Sequence, residues 1–298
     1  MRTSGEIEAD ISCEIEQAQK RGKHALVHLV HGSKTGLILP RLDALDRLMV
    51  RWSGAASFVI DACQVRIAPG MVGSYLERGA IVMLTGSKFV GGPPFSGFAL
   101  VPPQWKARAG NVPSGLARIF RRAEWPADWP GVACLPETGN PGLQLRLEAS
   151  LFELERFAAL PVERAESVIA AFGAAIGDHL LAIEGIEIVS PCEPGLSGEA
   201  EDHPLEMRTL VTLDVSSMPQ ARTFDDAQAL HRRIACAGIR LGQPVRCRKL
   251  ADGCWAGTLR IGLSMPQIVV LAALDDMAMR EVLASDMRRI AAVFDLAS

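Results

Sequence analysis

The chain has 298 residues, 49 % of them hydrophobic, with glycine and proline spread throughout; this is ordinary globular composition and excludes a disordered chain. A formal charge of −3 excludes the basic footprint of a nucleic-acid binder, and no apolar run reaches the roughly 18 residues of a membrane span. The length suggests about two domains, and seven scattered cysteines, without a CxxC pair or a secretory leader, suit a reducing cytoplasm.

In chain order, residues 6–19 carry Ile7, Ile11 and Ile15 four apart, the spacing of one helical face, and predict a helix packed on a sheet. Four short runs rich in Val, Ile, Leu and Phe follow at 25–30, 57–60, 80–84 and 98–101, as in strands buried on both faces. Between the first two, residues 42–52 are apolar at Leu42, Leu45, Leu48 and Met49 and read as a crossover helix. Strand, helix, strand, turn, strand is a doubly wound α/β pattern, a parallel-rich sheet with helices on both faces. Residues 113–141 are crowded with Pro, Trp and Gly, too irregular for one element, and are expected to wrap the surface or a subunit contact. Helices at 143–157 and 162–182, punctuated by Pro161, lead into a second part. There, strands at 210–215, 239–241 and 258–263 with helices at 225–237 and 275–294 predict an α+β domain. The expected division is therefore 1–160 and 161–298.

Two segments carry chemistry. Asp61-Ala62-Cys63-Gln64 follows the second strand, and Thr85-Gly86-Ser87-Lys88 follows the third, with the lysine 27 residues beyond the aspartate. That is one βαβ-sized step, which can put both strand ends on the same rim of a parallel sheet, where ligands bind in open α/β folds. A carboxylate at one strand end and an amine at a later one is the pair that pyridoxal phosphate (PLP) chemistry needs. Together with His31-Gly32-Ser33-Lys34-Thr35-Gly36 and Thr258-Leu259-Arg260-Ile261, these segments occur in an order and at spacings that resemble, over roughly residues 25–270, the fold-type-I PLP enzymes of the class V aminotransferase and cysteine desulfurase group.

The resemblance implies a role for each position. Lys88 is the Schiff-base lysine and Asp61 the acid that keeps the pyridine nitrogen protonated. Ala62 packs on one ring face, and Gln64 hydrogen-bonds the phenolic oxygen. Thr85 and Ser87 donate to the phosphate, although many relatives have histidine where Ser87 stands. Arg260 holds the substrate carboxylate with a bidentate fork, and Thr138, in Thr138-Gly139-Asn140, belongs to the turn that reaches the phosphate of a partner subunit. The implied activity is a class V-like aminotransferase acting on a small amino acid, with PLP as cofactor and a homodimer as the working form. Each position also has an ordinary reading: a surface lysine, a capping aspartate, a structural arginine.

A cysteine desulfurase or lyase is a further alternative. The position aligned with its reactive cysteine, after Leu241-Gly242-Gln243-Pro244, is Val245, and Cys247 lies two residues on beside Arg246, Arg248 and Lys249. The first family strand matched here corresponds to about the fourth of the large domain. The residues before it, with the turn that caps the phosphate and the aromatic that stacks on the ring, have no match in this sequence. A split enzyme, in which a partner chain supplies that half, or a non-catalytic dimerisation or binding protein that keeps the fold, is the alternative from another class. No His, Cys and carboxylate cluster has metal spacing. Gly32-Ser33-Lys34-Thr35 lacks the earlier glycine of a phosphate loop, and no GxGxxG follows a first strand, so nucleotide hydrolysis and nicotinamide binding rank last.

Overall fold

A computed structural model describes residues 3–36, 38–189 and 205–295. The chain divides into two compact units, one comprising Thr3–His31 and Leu39–Glu153, the other built chiefly from Leu154 onward.

In the first unit, helix α1 (Ser4–Lys20) starts where Thr3 can cap it. The Thr3 hydroxyl accepts from the Glu6 amide, and the Glu6 carboxylate accepts from the Thr3 amide, a reciprocal capping box. A five-stranded sheet follows in the order β2 (Ile38–Leu39), β1 (Ala25–His31), β3 (Ala56–Asp61), β4 (Ile81–Thr85), β5 (Gly97–Leu100). Strands β1, β3 and β4 are parallel, and β5 runs antiparallel to β4. The crossovers are α2 (Leu42–Arg51), as expected, and α3 (Pro69–Glu77), where only a turn was expected. Gly70 and Gly73 depress the helical signal of that segment; Pro69 at its first turn is the start signal that remains. Gly79, at φ 86°, closes α3 in the left-handed conformation that a side chain resists, and delivers the chain into β4.

Alternation along the strands assigns two faces. Val27, Leu29, Phe58, Ile60, Val82 and Leu84 form one core cluster with Ile15 of α1, Leu45 and Leu48 of α2 and Tyr75 of α3. All three helices therefore pack on this face, and on the opposite face Ser57 and Val59 of β3 are buried as well, 6 and 5 % exposed. On the other face Leu26, Val30 and Met83 are 58, 44 and 39 % exposed. Register puts Val30 beside Asp61 and Asp61 beside Met83, so the carboxylate shares that face.

His31, at the end of β1, is 2 % exposed and shares a hydrogen bond of 2.9 Å with the Tyr75 hydroxyl, while its Nε2 is buried without a partner among the described residues. Burial pushes its pKa down to about 4. The unfolded chain, with an ordinary histidine near 6.5, protonates first as pH falls. The stability tied to neutral His31 is therefore complete above about pH 6.5 and is lost toward pH 4, on the order of 3 kcal/mol across that window. Urea unfolding at a series of pH values should show this slope in the wild type and a flatter one in His31→Asn.

The irregular stretch expected over 113–141 consists of short 3₁₀ turns with a small core of their own, Val112, Val132 and Leu135, against which Phe120, Trp125 and Trp129 pack. Helix α4 (Pro141–Ala158) follows.

The second unit holds α5 (Val162–His179) and an antiparallel sheet ordered β6 (Glu187–Ile188), β7 (Leu210–Asp214), β8 (Thr258–Gly262). Helices α6 (Phe224–Cys236), α7 (Met265–Ala272) and α8 (Asp276–Asp295) complete it, with α5 packed on α7 and α8. Residues 239–241, expected as a strand, belong to no strand of the structure. Gly238 ends α6, and Pro244 lacks a donor, so only Gly242 bridges to Arg260. Gly257 just before β8 has no room for a side chain, because a Cβ there would overlap the Ala221 carbonyl oxygen. That neighbour is backbone and cannot turn aside, so Gly257→Ala should cost about 3 kcal/mol, read as a lowered urea midpoint.

Candidate functional site

The carboxyl ends of β3 and β4 build the site. The two strands are parallel, with Asp61 in register with Met83, so Asp61 closes β3 and Thr85 closes β4 on the same rim. Lys88 follows three residues after Thr85, in the loop leaving that rim.

The turn after β3 is tightly determined. The Ala62 amide donates to Met83 O at 3.0 Å, and the Val65 amide to Ala62 O at 2.8 Å. Asp61 Oδ1 accepts from the Cys63 amide at 3.0 Å. Val65 sits at φ 54°, a conformation a β-branched residue adopts only under constraint, so the local geometry is imposed by its surroundings. Burial pushes the Asp61 carboxyl pKa up, but the hydrogen bonds from Cys63 and the fields of Lys88 and His28 outweigh it, and the net shift is downward. Asp61 is thus held as a carboxylate.

Lys88 is exposed and makes no hydrogen bond or ion pair to any described residue; it acts on Asp61 and Cys63 through its charge. Its loop is fixed by backbone bonds: Gly86 N to Ser96 O, 2.9 Å, Gly92 N to Gly86 O, 2.8 Å, and Gly91 N to Lys88 O, 3.0 Å. Gly86 and Gly92 lie so close to Ser150 of α4 that a Cβ at either would overlap its side chain, which explains two glycines flanking the lysine. The Thr85 and Ser87 hydroxyls stand 3.0 Å apart in one hydrogen bond, so the two donors expected for an anion are brought together.

Gln64 Oε1 accepts from Arg66 Nη1 at 3.1 Å, and its amide NH₂ has no partner among the described residues. Ala62 is 1 % exposed and belongs to the core cluster. Thr138 is exposed in the loop before α4 and makes no hydrogen bond to the other site residues.

In the second unit, Arg260 of β8 is half-buried. Its Nε donates to Gln243 O at 2.9 Å, burial lowers its pKa, and the terminal NH₂ groups have no carboxylate among the described residues. Cysteine chemistry is poorly served. Burial, with Asp61 hydrogen-bonded and charged beside it, pushes the Cys63 thiol up to about 11. Burial and then the field of Asp214 raise that of Cys247. Val245 is 9 % exposed and bound through both backbone groups to the Thr258 hydroxyl, the opposite of a mobile loop. Reading the sequence alone missed Arg66 and the strain at Val65. An arginine after a turn looks like surface charge, and only a turn signal such as the Asp61 cap hinted at the strain.

No protein-family model matches the chain, and no curated protein matches it. Among solved structures it is similar to a cysteine desulfurase from Thermococcus onnurineus NA1, with 16 % identity and a TM-score of 0.50 over 93 % of this chain and 63 % of that one. It is similar to 4-hydroxyphenylacetaldehyde synthase from Rhodiola rosea, with 13 % identity and a TM-score of 0.52 over 95 % and 53 %. A glutamate decarboxylase from Lactobacillus brevis CGMCC 1306 shares 16 % identity and a TM-score of 0.52 over 91 % and 55 %. The chain thus spans between 53 and 63 % of the length of these three structures. The fold, mixed α/β with a parallel-rich sheet, is that of the fold-type-I PLP-dependent transferases.

Proposed function

We propose that the chain carries the PLP site of a class V-like aminotransferase that acts on a small amino acid. The observation that carries this is the pairing of Lys88, an amine without a partner among the described residues, with a held carboxylate, Asp61, on one rim of adjacent parallel strands. The donor set fits the cofactor at three further points: Gln64 offers an amide NH₂ to a phenolic oxygen, and Thr85 and Ser87 offer paired hydroxyls to a phosphate. PLP, when bound, supplies an electron-poor ring that takes up the charge left when a bond at the substrate α-carbon breaks. Asp61 holds the proton on the ring nitrogen. Lys88 would hold the aldehyde end through Nζ, and the same amine would be the group placed to accept the α-proton. Arg260 binds the substrate carboxylate; a half-buried guanidinium whose terminal NH₂ groups have no carboxylate among the described residues favours a planar anion.

In this reading residues 1–160 are the later portion of the large PLP-binding domain and 161–298 the small domain, working in the cytoplasm. Thr138 serves a neighbouring subunit's phosphate in a homodimer. A second arrangement is favoured by the exposed apolar side chains of Leu26, Val30 and Met83 and by the partial span of the similar structures: further polypeptide, from a longer protein or a partner chain, covers these side chains and supplies the phosphate cup and the stacking aromatic. Desulfuration is disfavoured by the raised thiol pKa values of Cys63 and Cys247 and the immobilised Val245. The purified chain should develop a visible absorption band with millimolar PLP; its absence would favour a non-catalytic binding or dimerisation protein that has kept the fold.

A further inference from the structure

Arg66 is 7 % exposed, an uncommon place for an arginine, and stands two residues beyond Gln64 in the strained turn. Its guanidinium carbon lies 4.7 Å from the centroid of the Phe89 ring, which is itself buried and follows Lys88 directly. The same guanidinium donates through Nη1 to Gln64 Oε1. One side chain therefore ties the turn after β3 to the loop that carries Lys88.

Arginine has donors and no acceptor, so the group Gln64 turns toward it can only be the carbonyl oxygen. The amide NH₂ is left facing away, without a partner among the described residues, and demands an acceptor there. We infer that Arg66 is a positioning residue that fixes Gln64 as a hydrogen-bond donor and so selects the deprotonated phenolic oxygen of the cofactor. This rests on the PLP reading proposed above and adds to it a residue that acts through Gln64 without touching the ligand. The cation stacked on Phe89 further ties the backbone beside Lys88 to the same group, so Gln64 and Lys88 are held at a common spacing.

The test uses the full chain titrated with PLP, reading the dissociation constant and the pH midpoint of the visible band. Arg66→Met and Gln64→Ala should each weaken PLP about tenfold and raise the midpoint by about one unit, because a donor to the phenolate is lost. The double variant should be no weaker than either single one. Arg66→Met removes a buried cation and could compromise folding, so Gln64→Glu is the companion: its carboxylate keeps Arg66 paired but has no N–H to give, and it should show the same weakening and shift in a folded protein. If wild-type protein binds PLP while Gln64→Glu binds as tightly with an unmoved midpoint, or if the single effects multiply in the double variant, the role of Arg66 is overturned and the PLP reading stands. A wild-type chain that gives no band overturns both.

Discussion

Lys88→Ala should abolish the covalent, borohydride-reducible attachment of PLP expected at this residue and the visible band that accompanies it, and should lower any aminotransfer by about 10⁴-fold. The size follows from two losses at once, the covalent anchor and the amine that receives the α-proton. The side chain has no structural duty to lose: it is exposed and without a hydrogen bond or ion pair among the described residues, and its loop is fixed by backbone bonds of Gly86, Gly91 and Gly92. The thermal midpoint of Lys88→Ala should therefore match the wild type. Mass spectrometry after reduction provides the check; a phosphopyridoxyl adduct still present in the alanine variant, or found on another lysine, would remove Lys88 from the site.

Asp61→Asn should lower turnover about a thousandfold while PLP attachment at Lys88 persists. Asparagine keeps an oxygen that can accept from the Cys63 amide, so the turn survives, and what disappears is the negative charge that keeps the ring nitrogen protonated. Because the carboxyl pKa is depressed in the fold, the charge is present at neutral pH and is the quantity the variant removes. Single-turnover formation of keto acid from an amino acid, followed beside the PLP band, separates chemistry from binding; full turnover in the variant would refute the electron-sink role of Asp61.

Much of the framework could be read in the residues because apolar runs that end in Asp or Thr mark the carboxyl ends of buried strands. Asp61 and Thr85 fall at those ends, and the parallel pairing of β3 and β4 puts them on one rim. Helix α3 escaped notice because Gly70 and Gly73 lower helix propensity while burial of Tyr75 against the sheet restores the helix through tertiary contact. The stretch at 239–241 has strand composition, but the glycine before it and the proline after it deny it a ladder. Arg66 could not be placed from sequence, since its position depends on Phe89, 23 residues later.

The partly exposed side of the sheet links solubility to chemistry. Leu26, Val30 and Met83 lie on the same surface as Asp61, so any polypeptide that shields this greasy strip also expels water from around the carboxylate and strengthens its hold on a cation. Conditions that keep the isolated chain from clumping and conditions that raise its affinity for a charged ring should turn out to be the same ones.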